Sequence, residues 1–527
     1  MALAANLADD RAKNAGVGTQ PASKVRTIAG LAEIAERLRS EGQTVVLAHG
    51  VFDLLHLGHL RHLKEAREQG DALIVTLTAD SFVNKGPGRP VFAQAMRAEM
   101  LAALEIVDWV GINAAPTSQN VIEAIKPDVY VKGPDYSNPE ADFTGGIQIE
   151  QQAVERFGGR LFLTDDVMFS SSSLINRYLG VHDEELGRYL ETARELDMLP
   201  TIIDALDRVK QSRVLMIGDT IIDEYRYVSP LGKSQKENII TTLFRESEAF
   251  AGGIIASANH AAEFCGEVEI VTCLGHDDPY EELVRRSLKP NVKLHIVRRH
   301  GKPTTCKTRF VDPGYMRKLF EVYNMDDAPL DDHESAEVSE LALSRMQDFD
   351  AVVVNDFGHG LIGPQLIEDI ERSAPFLAVN VQTNSGNMGY NLVTRYRRAD
   401  YICIDAPEAR LAVGDKFSDL KIVTRDKLAR MIDCPRMIVT HGAQGSLTYD
   451  RAEGMGRVPA FTKQVVDTVG AGDAFFAVTA PLAALGLPME HLGFIGNAAG
   501  AIKVGIVGHR RSVERVPLIK FATALLK

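Results

Sequence analysis

The chain has 527 residues, which at roughly 150 residues per domain corresponds to two to four domains and excludes a single small module. Apolar residues make up 45% and charged residues 24%, proportions that exclude a disordered or fibrous chain. Because 71 Asp and Glu outnumber 58 Lys and Arg, the net charge of -13 argues against nucleic acid as a partner, although it allows a local basic pocket for a phosphate.

Residues 1–25 are rich in Ala, Asn, Gly and Ser, and we expect them to form a mobile tail. No apolar run approaches the roughly 20 residues that a membrane helix needs, and the N-terminus lacks the apolar core of a secretory signal. We therefore expect a cytoplasmic protein that does not bind membranes. The cysteines form no C-x-x-C pair, so they predict reduced, mostly buried thiols rather than a zinc site. They are Cys265, Cys273, Cys306, Cys403 and Cys434.

From Thr44 to about Gly180, short apolar runs alternate with amphipathic stretches, beginning with TVVLAHG, HLRHLKEAREQG and DALIVTLTAD. This spacing predicts parallel βαβ units in a first α/β domain over residues 26–180. Residues 181–210 are strongly charged and helical in period, with a break predicted at Pro200, so we expect a helical linker. The alternation then resumes from RVLMIGD, and no Pro/Gly/Ser-rich linker interrupts residues 211–527. We expect one large second α/β domain there.

Residues 49–59 read HGVFDLLHLGH and run from the end of an apolar strand into a helix. His56 and His59 are predicted to share one face at the helix N-terminus, where backbone N–H groups favour an anion. Gly58 leaves room for a nucleotide, and the two imidazoles could donate hydrogen bonds to charge that builds on an attacked α-phosphate. A lone histidine is more often a polar cap, but the spacing favours a site. Asp53 has two equally weighted readings, orienting the loop or contacting substrate.

This segment resembles the nucleotidyltransferase superfamily of cytidylyltransferases and adenylyltransferases, over about residues 43–180. The resemblance implies a Rossmann-like domain with phosphate-binding groups in NKGPGRP, in the helix that follows, in VKGPDY and in FSSSSLI. A lysine supplies a point charge and an arginine a forked donor set, both suited to phosphates. The implied catalytic residues are His56, His59 and Lys85. The implied nucleotide- and phosphate-binding residues are Gly50, Phe52, Gly58, Arg97, Ser170, Ser171 and Ser172.

A second motif, DTVGAGD at residues 467–473, precedes an apolar helix. The turn Gly470, Ala471 and Gly472 can aim several N–H groups at one transferring phosphoryl group. Asp473 could then accept the proton of an attacking hydroxyl. Taken alone, an aspartate in this place would more often cap its own helix.

With further motifs, this half resembles the ribokinase-like (PfkB-type) sugar kinases over about residues 212–520. The diglycine of AGGIIASANHAA and the acids of GDTIIDEY and NDFGHG imply a sugar site, and VTHGAQGS and GNAAGA imply a nucleotide site. Glu408 of DAPEAR falls on the acidic position associated with hydrated Mg²⁺, while Asp405 replaces the usual Asn. The implied sugar-binding residues are Asp219, Asp223, Gly252, Gly253 and Asp356. The implied nucleotide-binding residues are Thr440, Gly442, Gly445, Gly470, Ala471, Gly472 and Asn497.

Both halves together resemble the bifunctional heptose kinase/adenylyltransferases. The resemblance implies two ATP-dependent steps with Mg²⁺: phosphorylation of a sugar 7-phosphate at its anomeric hydroxyl, and joining of a sugar 1-phosphate to AMP with release of pyrophosphate. A separate sugar bisphosphate phosphatase would act between them. The resemblance also allows a homodimer formed through a small lid sheet.

The chain departs from that pattern in three ways. Its transferase half precedes its kinase half; Ala256 stands where the heptose kinases have a sugar-facing Asn; and Asn380, Val381 and Gln382 stand in place of Asp-Pro-Lys. Lost polar groups can change the choice of sugar. Two alternatives follow: a cytidylyltransferase and kinase for another sugar or polyol phosphate, and a kinase half reduced to a sugar-binding module.

Overall fold

The computed structural model describes residues 23–83, 89–133, 146–164, 183–276, 279–314 and 316–526. The chain divides into two compact units, Met1–Gly180 and Val181–Lys527, and each is α/β in class. Most of the tail predicted for residues 1–25 lies outside the described residues. All five cysteines are buried free thiols, as predicted. Among the helices that the structure describes, none is long and apolar enough to span a bilayer.

In the first unit, strands and helices alternate along the chain as the sequence predicts. The elements are β1 (Val25–Arg26), α1 (Ile28–Ser40), β2 (Val45–Gly50), α2 (Leu57–Arg67), β3 (Ala72–Thr78), α3 (Gln94–Ala102), β4 (Trp109–Asn113), α4 (Gln119–Ile125), β5 (Val129–Lys132), α5 (Gly146–Glu155) and β6 (Arg160–Leu163). Within the described residues the strands form a parallel sheet in the order β1-β4-β3-β2-β5-β6.

Alternate residues of β2 pack into two different hydrophobic clusters, one on each face of the sheet. Val46 and Ala48 belong to one cluster, and Val45 and Leu47 to the other. Burial on both faces is typical of parallel sheets covered by helices. The chain adds β3 and β4 on one side of β2, and then β5 and β6 on the other side. Open α/β sheets bind ligands at such a switch point, in the crevice at the carboxyl ends of the strands.

The second unit is larger and contains two sheets. Its strands are β7 (Arg213–Gly218), β8 (Thr220–Lys233), β9 (Ile240–Gly253), β10 (Glu267–Gly275), β11 (Val292–Arg299), β12 (Thr305–Asp312), β13 (Arg317–Asn324), β14 (Ala351–Asp356), β15 (Leu377–Val381), β16 (Tyr401–Asp405), β17 (Arg436–Thr440), β18 (Ser446–Asp450) and β19 (Gly454–Val458). Within the described residues, the main sheet has the order β11-β10-β7-β14-β15-β16-β17-β18-β19, and the second sheet has the order β13-β12-β8-β9.

The helices of this unit cover the main sheet. They are α6 (Glu184–Glu195), α7 (Met198–Arg208), α8 (Ile254–Ala262), α9 (Glu281–Ser287), α10 (Asp332–Leu343), α11 (Pro364–Ser373), α12 (Ala406–Ala412), α13 (Ala429–Met431), α14 (Ala471–Ala484), α15 (Met489–Lys503) and α16 (Arg515–Leu526), with a π-helix at Ile422–Leu428. Strand β8 leaves the main domain directly after β7, so the second sheet begins beside the carboxyl end of a central strand.

The segment predicted as a helical linker contains α6 and α7, and both pack into the second unit. Leu186, Leu190 and Ile202 belong to the same buried cluster as the interior of the kinase-like half. The chain breaks at Asp197, which has φ 47°, and not at Pro200. Pro200 lies in the first turn of α7, where the missing N–H removes no helix hydrogen bond.

Candidate active sites

The first candidate site lies where β2 ends and α2 begins. His56 caps α2, because its Nδ1 accepts a hydrogen bond from the Gly58 N–H over 3.1 Å. The His56 ring stacks on the His59 ring with centroids 4.0 Å apart, and both residues are half-buried. The structure therefore brings the two predicted imidazoles together at the positive end of a helix dipole. Their role in catalysis stays a prediction.

The turn before His56 is shaped by Gly50 and Phe52. Phe52 has φ 49°, in the left-handed region, and its ring lies in the core of the first unit. That ring is 5.2 Å from the His59 ring, and a Cβ at Gly50 would come within 3.1 Å of it. The side chain of Phe52 is thus buried against the sheet, and the predicted nucleotide contact of this residue stays a prediction.

Asp53 orients the neighbouring loop. Its carboxylate is fully buried and accepts hydrogen bonds from the Val91 N–H over 2.6 Å and from Arg89 Nη1 over 3.0 Å. Of the two predicted roles, the structure favours the structural one. Arg89 was not singled out from the sequence, although it lies in the same NKGPGRP motif as Lys85.

The predicted phosphate-binding residue Arg97 already has several protein partners. Its side chain is fully buried, and its guanidinium donates to the carbonyl oxygens of Val51 at 2.5 Å, Phe92 at 2.9 Å and Thr78 at 2.9 Å. It also forms an ion pair with Asp80. Arg97 thereby ties the strand ends to the loop that carries Asp53, which a helix position in the sequence could not reveal. Its phosphate contact stays a prediction.

Other predicted phosphate groups, Lys85 and the serines Ser170, Ser171 and Ser172, lie outside the described residues. Two further polar side chains of this unit, Lys132 and His62, were not predicted individually as site residues, although Lys132 lies in the VKGPDY motif. Lys132 of VKGPDY, at the end of β5, forms an ion pair with Glu150 at 2.8 Å. Burial, and then Lys132, lower the pKa of His62 to about 4, so that imidazole is neutral near pH 7. The signal that the sequence offered for these residues was a polar side chain at or near the end of an apolar strand.

The second candidate site lies at the start of α14. Gly470 precedes the helix with φ 74°, a left-handed conformation that favours glycine. Asp473 lies in the first helical turn, is 7% exposed, and accepts a hydrogen bond from the Gln382 side-chain amide. Burial raises the pKa of Asp473. A carboxyl group with a raised pKa is better matched to proton acceptance near neutral pH.

Three of the predicted glycines have a steric reason in the structure. A Cβ at Gly252 would lie 2.1 Å from the Asp223 carboxylate, and one at Gly253 would lie 2.5 Å from the Asp219 carbonyl oxygen. A Cβ at Gly470 would lie 2.6 Å from the His509 ring. The missing side chains therefore allow Asp219, Asp223 and the Gly470 turn to pack close to one another and to His509. Gly472 has no atom within 4 Å of its Cβ position, which leaves open space at the turn.

The predicted sugar-binding acids are buried and already hold protein partners. Asp219 accepts hydrogen bonds from the N–H groups of Phe357, His359 and Leu361 over 3.2–3.3 Å. Burial, together with Asp356, raises the pKa of Asp219 to about 6. The sugar contact of Asp219 stays a prediction.

Asp223 forms ion pairs with Arg309 and with His509, the latter at 3.2 Å. Burial alone would raise its pKa, but His509 and Arg309 outweigh burial and hold the pKa of Asp223 well below its usual range. Asp223 is therefore an ionised acceptor at neutral pH, and its sugar contact stays a prediction.

Asp356, the third predicted sugar-binding acid, has the most protein partners, and its sugar contact stays a prediction. It is 1% exposed and its carboxylate is bonded to Arg395 at 3.2 Å, Tyr396 at 3.1 Å and Asn391 at 3.1 Å. With both oxygens engaged in the interior, Asp356 anchors the loop after β14. Sequence order placed it beside the sugar site but could not show which way its side chain turns.

The predicted metal position forms part of a helix cap. Asp405 and Glu408 make a capping box at the start of α12, and Glu408 also accepts from the Thr383 N–H over 3.1 Å. Burial and then Asp405 raise the pKa of Glu408. Across the described ranges, no group of three or more His, Cys, Asp and Glu side chains forms a metal site. Two adjacent desolvated carboxylates do fit a hydrated Mg²⁺, which would favour their ionised form.

The predicted nucleotide side lies at the turn between β17 and β18. Gly442 and Gly445 have φ 51° and φ 86°, and a Cβ at Gly445 would come within 2.0 Å of the Val458 carbonyl oxygen. Thr440 is at the end of β17, and Asn497 of α15 donates to Ser446 Oγ over 2.7 Å. The structure thus brings Asn497 to the same strand pair as this turn.

Comparison with known proteins now identifies the second unit. The sequence profile of the pfkB family carbohydrate kinases matches residues 211–515. The chain belongs to this family. In the first unit of this pfkB-family chain, the cytidylyltransferase-like profile matches residues 47–177.

Curated relatives match a part of this pfkB-family chain. The bifunctional protein HldE of Syntrophotalea carbinolica is 38% identical over 165 residues, which are 31% of this chain and 32% of that protein. The HldE of Citrifermentans bemidjiense is 40% identical over 155 residues, 29% of this chain and 30% of that protein. The chain thus spans about a third of these relatives' length. A solved Arabidopsis thaliana ribokinase has 18% identity and a TM-score of 0.46, with 60% of this chain and 99% of that chain covered.

Several polar residues of the pfkB-family unit were missed as site residues. Gln382 was noted only as a departure, yet it contacts Asp473. His509 and Lys503 lie beside Gly470. In the sequence, the one feature that could have pointed to them was a basic side chain within a glycine-rich, apolar stretch. The other departures are structural: Asn380 donates to the Cys403 carbonyl oxygen over 2.7 Å, and Val381 and Ala256 are buried in the core.

Proposed function

We propose that this chain is a bifunctional transferase. Its kinase unit would phosphorylate a sugar phosphate, heptose 7-phosphate, at the anomeric hydroxyl. Its first unit would transfer AMP from ATP to a sugar 1-phosphate, giving an ADP-sugar and pyrophosphate. The observation that carries the proposal is that each unit has ionisable side chains at a helix start, where N–H groups favour an anion: His56 and His59 at α2, and Asp473 at α14.

In the kinase step, Asp473 accepts the proton of the sugar hydroxyl. The sugar oxygen forms a bond to the γ-phosphorus of ATP while the bond to the β-phosphate oxygen breaks and ADP leaves. N–H groups of the turn at Gly470–Gly472 would bind the transferring phosphoryl group, and the space around the Cβ position of Gly472 is open. Asp219 and Asp223 would orient the sugar hydroxyls.

In the transfer step, an oxygen of the sugar 1-phosphate attacks the α-phosphorus of ATP, and pyrophosphate leaves. The stacked imidazoles of His56 and His59 would donate hydrogen bonds to the extra charge on the α-phosphate oxygens. Lys85 and the serines Ser170–Ser172 would bind the departing phosphates, as the sequence motif implies. Asp53 and Arg97 hold the surrounding loop.

Mg²⁺ would screen the nucleotide phosphates in both sites. In the kinase unit, Glu408 and Asp405 would hold it through water, because they are two adjacent carboxylates in a desolvated place. The substitution Glu408→Gln should raise the Mg²⁺ concentration that gives half-maximal turnover. A Mg²⁺ titration of the variant and the wild type measures this change.

The proposed substrates also imply a cellular location and a further enzyme. ATP and sugar phosphates place the protein in the cytoplasm, and a phosphatase must remove the distal phosphate before the transfer step. A homodimer would cover apolar side chains of the second sheet that are exposed in one chain, including Ile240, Phe244 and Phe320. Sedimentation of the wild type and of Phe244→Glu tests the dimer.

The test of the function is a substrate screen of the full chain, with the products identified by mass. We expect heptose 7-phosphate with ATP to give a bisphosphate, and heptose 1-phosphate with ATP to give ADP-heptose and pyrophosphate. Pyrophosphate release with CTP alone would overturn the adenylyl assignment and favour a cytidylyltransferase. Sugar binding without turnover for any sugar phosphate would favour a kinase half that only binds sugar.

A further inference from the structure

Lys503, the last residue of α15, is fully buried, which is unusual for a lysine. Its Nζ donates to the Val469 carbonyl oxygen over 2.7 Å and to the Gly508 carbonyl oxygen over 2.8 Å. Val469 is the residue before Gly470 of the phosphate turn, and Gly508 is the residue before His509. A single ammonium group therefore joins two loops of the kinase cleft.

The two loops are also linked by a carboxylate. Asp467 accepts from the Gly508 N–H over 2.8 Å and from the Val469 N–H over 3.1 Å. Lys503 and Asp467 thus bind the same two residues: Lys503 donates to their carbonyl oxygens, and Asp467 accepts from their N–H groups. The backbone donors and acceptors of Val469 and Gly508 are therefore both held by charged side chains.

The ammonium also has an electrostatic effect on the cleft. Within the described residues Lys503 forms no ion pair, and Asp467 is instead paired with Lys318 at 2.7 Å. Burial lowers the pKa of Lys503, while Asp467, Asp473 and Asp223 act in the opposite direction. The charge lies next to the turn, since a Cβ at Gly470 would be 3.4 Å from Lys503 Cε and the Lys503 Nζ is 2.7 Å from the Val469 carbonyl oxygen. A buried cation there favours an anion at the turn above it.

We propose that Lys503 is a positioning residue for phosphoryl transfer. Its ammonium holds the Gly470 turn and the His509 loop against each other and keeps a fixed positive charge under the transferring phosphoryl group. The inference rests on the proposed kinase function of this unit. It adds a group that touches neither substrate but sets the geometry of the N–H groups that do.

The first test is Lys503→Met, which keeps the length and apolar stem but removes the charge and both donors. We expect kcat for sugar phosphorylation to fall about 10- to 100-fold, because a small misplacement of reacting groups has effects of that size. The KM for ATP should change much less than kcat, because Lys503 touches neither substrate in the ground state. Lys463→Met, at an exposed lysine of the same unit, is the matched control.

Rescue and hydrogen exchange separate positioning from a general packing effect. Ethylammonium added to Lys503→Ala should restore part of kcat, while ethanol should not. In Lys503→Met, the amides of residues 467–473 and 507–509 should exchange faster, with the strands β14 and β15 unchanged. If Lys503→Met does not fold, the same measurements on Lys503→Gln replace it.

A folded Lys503→Met protein with wild-type kcat, or with unchanged exchange in both loops, would overturn the inference. The exchange experiment needs no turnover. It therefore tests the clamp even if the wild type phosphorylates no sugar, an outcome that would overturn the proposed function alone.

Discussion

The two candidate sites use opposite ways of beginning a helix. In the first unit, the side chain of His56 caps α2 and takes the Gly58 N–H for itself. In the second unit, Gly470 leads into α14 without a side-chain cap in the described structure, and the turn is open at Gly472. In the proposed transfers, the first site would therefore present side-chain donors to a phosphate, whereas the second would present backbone N–H groups.

This difference matches the chemistry expected of each site. An attacking sugar hydroxyl must lose a proton, and the second site has a buried carboxylate, Asp473, to accept it. An attacking sugar phosphate is already ionised, and the first site offers imidazoles that stabilise charge rather than a carboxylate base. Substitutions at the two sites should consequently affect two different products.

The largest effect is expected for Asp473→Asn, which removes the base but keeps the size of the side chain. Sugar phosphorylation should fall about 100- to 10,000-fold. Formation of the ADP-sugar from a supplied sugar 1-phosphate should be unchanged. Both rates are measured on the same protein preparation, and wild-type phosphorylation in this variant would show that Asp473 is not the base.

His59→Ala should be the counterpart in the first unit. We expect AMP transfer to fall about 100- to 1,000-fold, because a donor to the charged transition state is lost. Kinase turnover should stay at the wild-type level, and His333→Ala, on α10 of the other unit, serves as the control. Equal loss of both activities would contradict the separation of the sites.

Gly470→Ala should weaken both the stability and the activity of the kinase unit. The residue has φ 74°, and a Cβ would lie 2.6 Å from the His509 ring. We expect the free energy of unfolding to drop by about 1–3 kcal/mol, together with a lower kcat. Gly500→Ala, inside α15 where a Cβ meets no atom within 4 Å, should lower neither quantity and should stabilise the unit by up to about 1 kcal/mol.

Gln382→Ala should have the smallest effect, visible in the pH profile of the kinase. Burial raises the pKa of Asp473, and the hydrogen bond from Gln382 acts in the opposite direction. Loss of that donor should raise the pKa further and move the acid limb of kcat/KM upward by about one pH unit. The profile of AMP transfer should not move. A downward shift would mean that Gln382 does not stabilise the ionised form.

The order of elements in both units, and the residues at both helix starts, could be predicted from the sequence. Strand–helix alternation gives parallel sheets, and the carboxyl ends of those strands meet at one edge, so the motifs there converge. What the sequence could not provide was the direction of buried polar side chains. Arg97 and Asp356 belong to motifs that suggest ligand contacts, but each is taken up by interior partners.

The residues that the sequence did not point to were missed for a different reason. Lys503 and His509 reach the phosphate turn from a helix end and a loop more than 30 residues further along the chain, so no local pattern links them to it. Pairings over such distances in sequence follow from the tertiary fold. The serines and Lys85 of the first unit remain sequence predictions.

The central claim is that each unit carries its own transfer site. The most direct test measures both products, sugar bisphosphate and ADP-sugar, for the wild type, Asp473→Asn and His59→Ala under the same conditions. The account predicts that each variant loses one product and keeps the other at the wild-type rate. Loss of both products in either folded variant, or of neither in both, would contradict it.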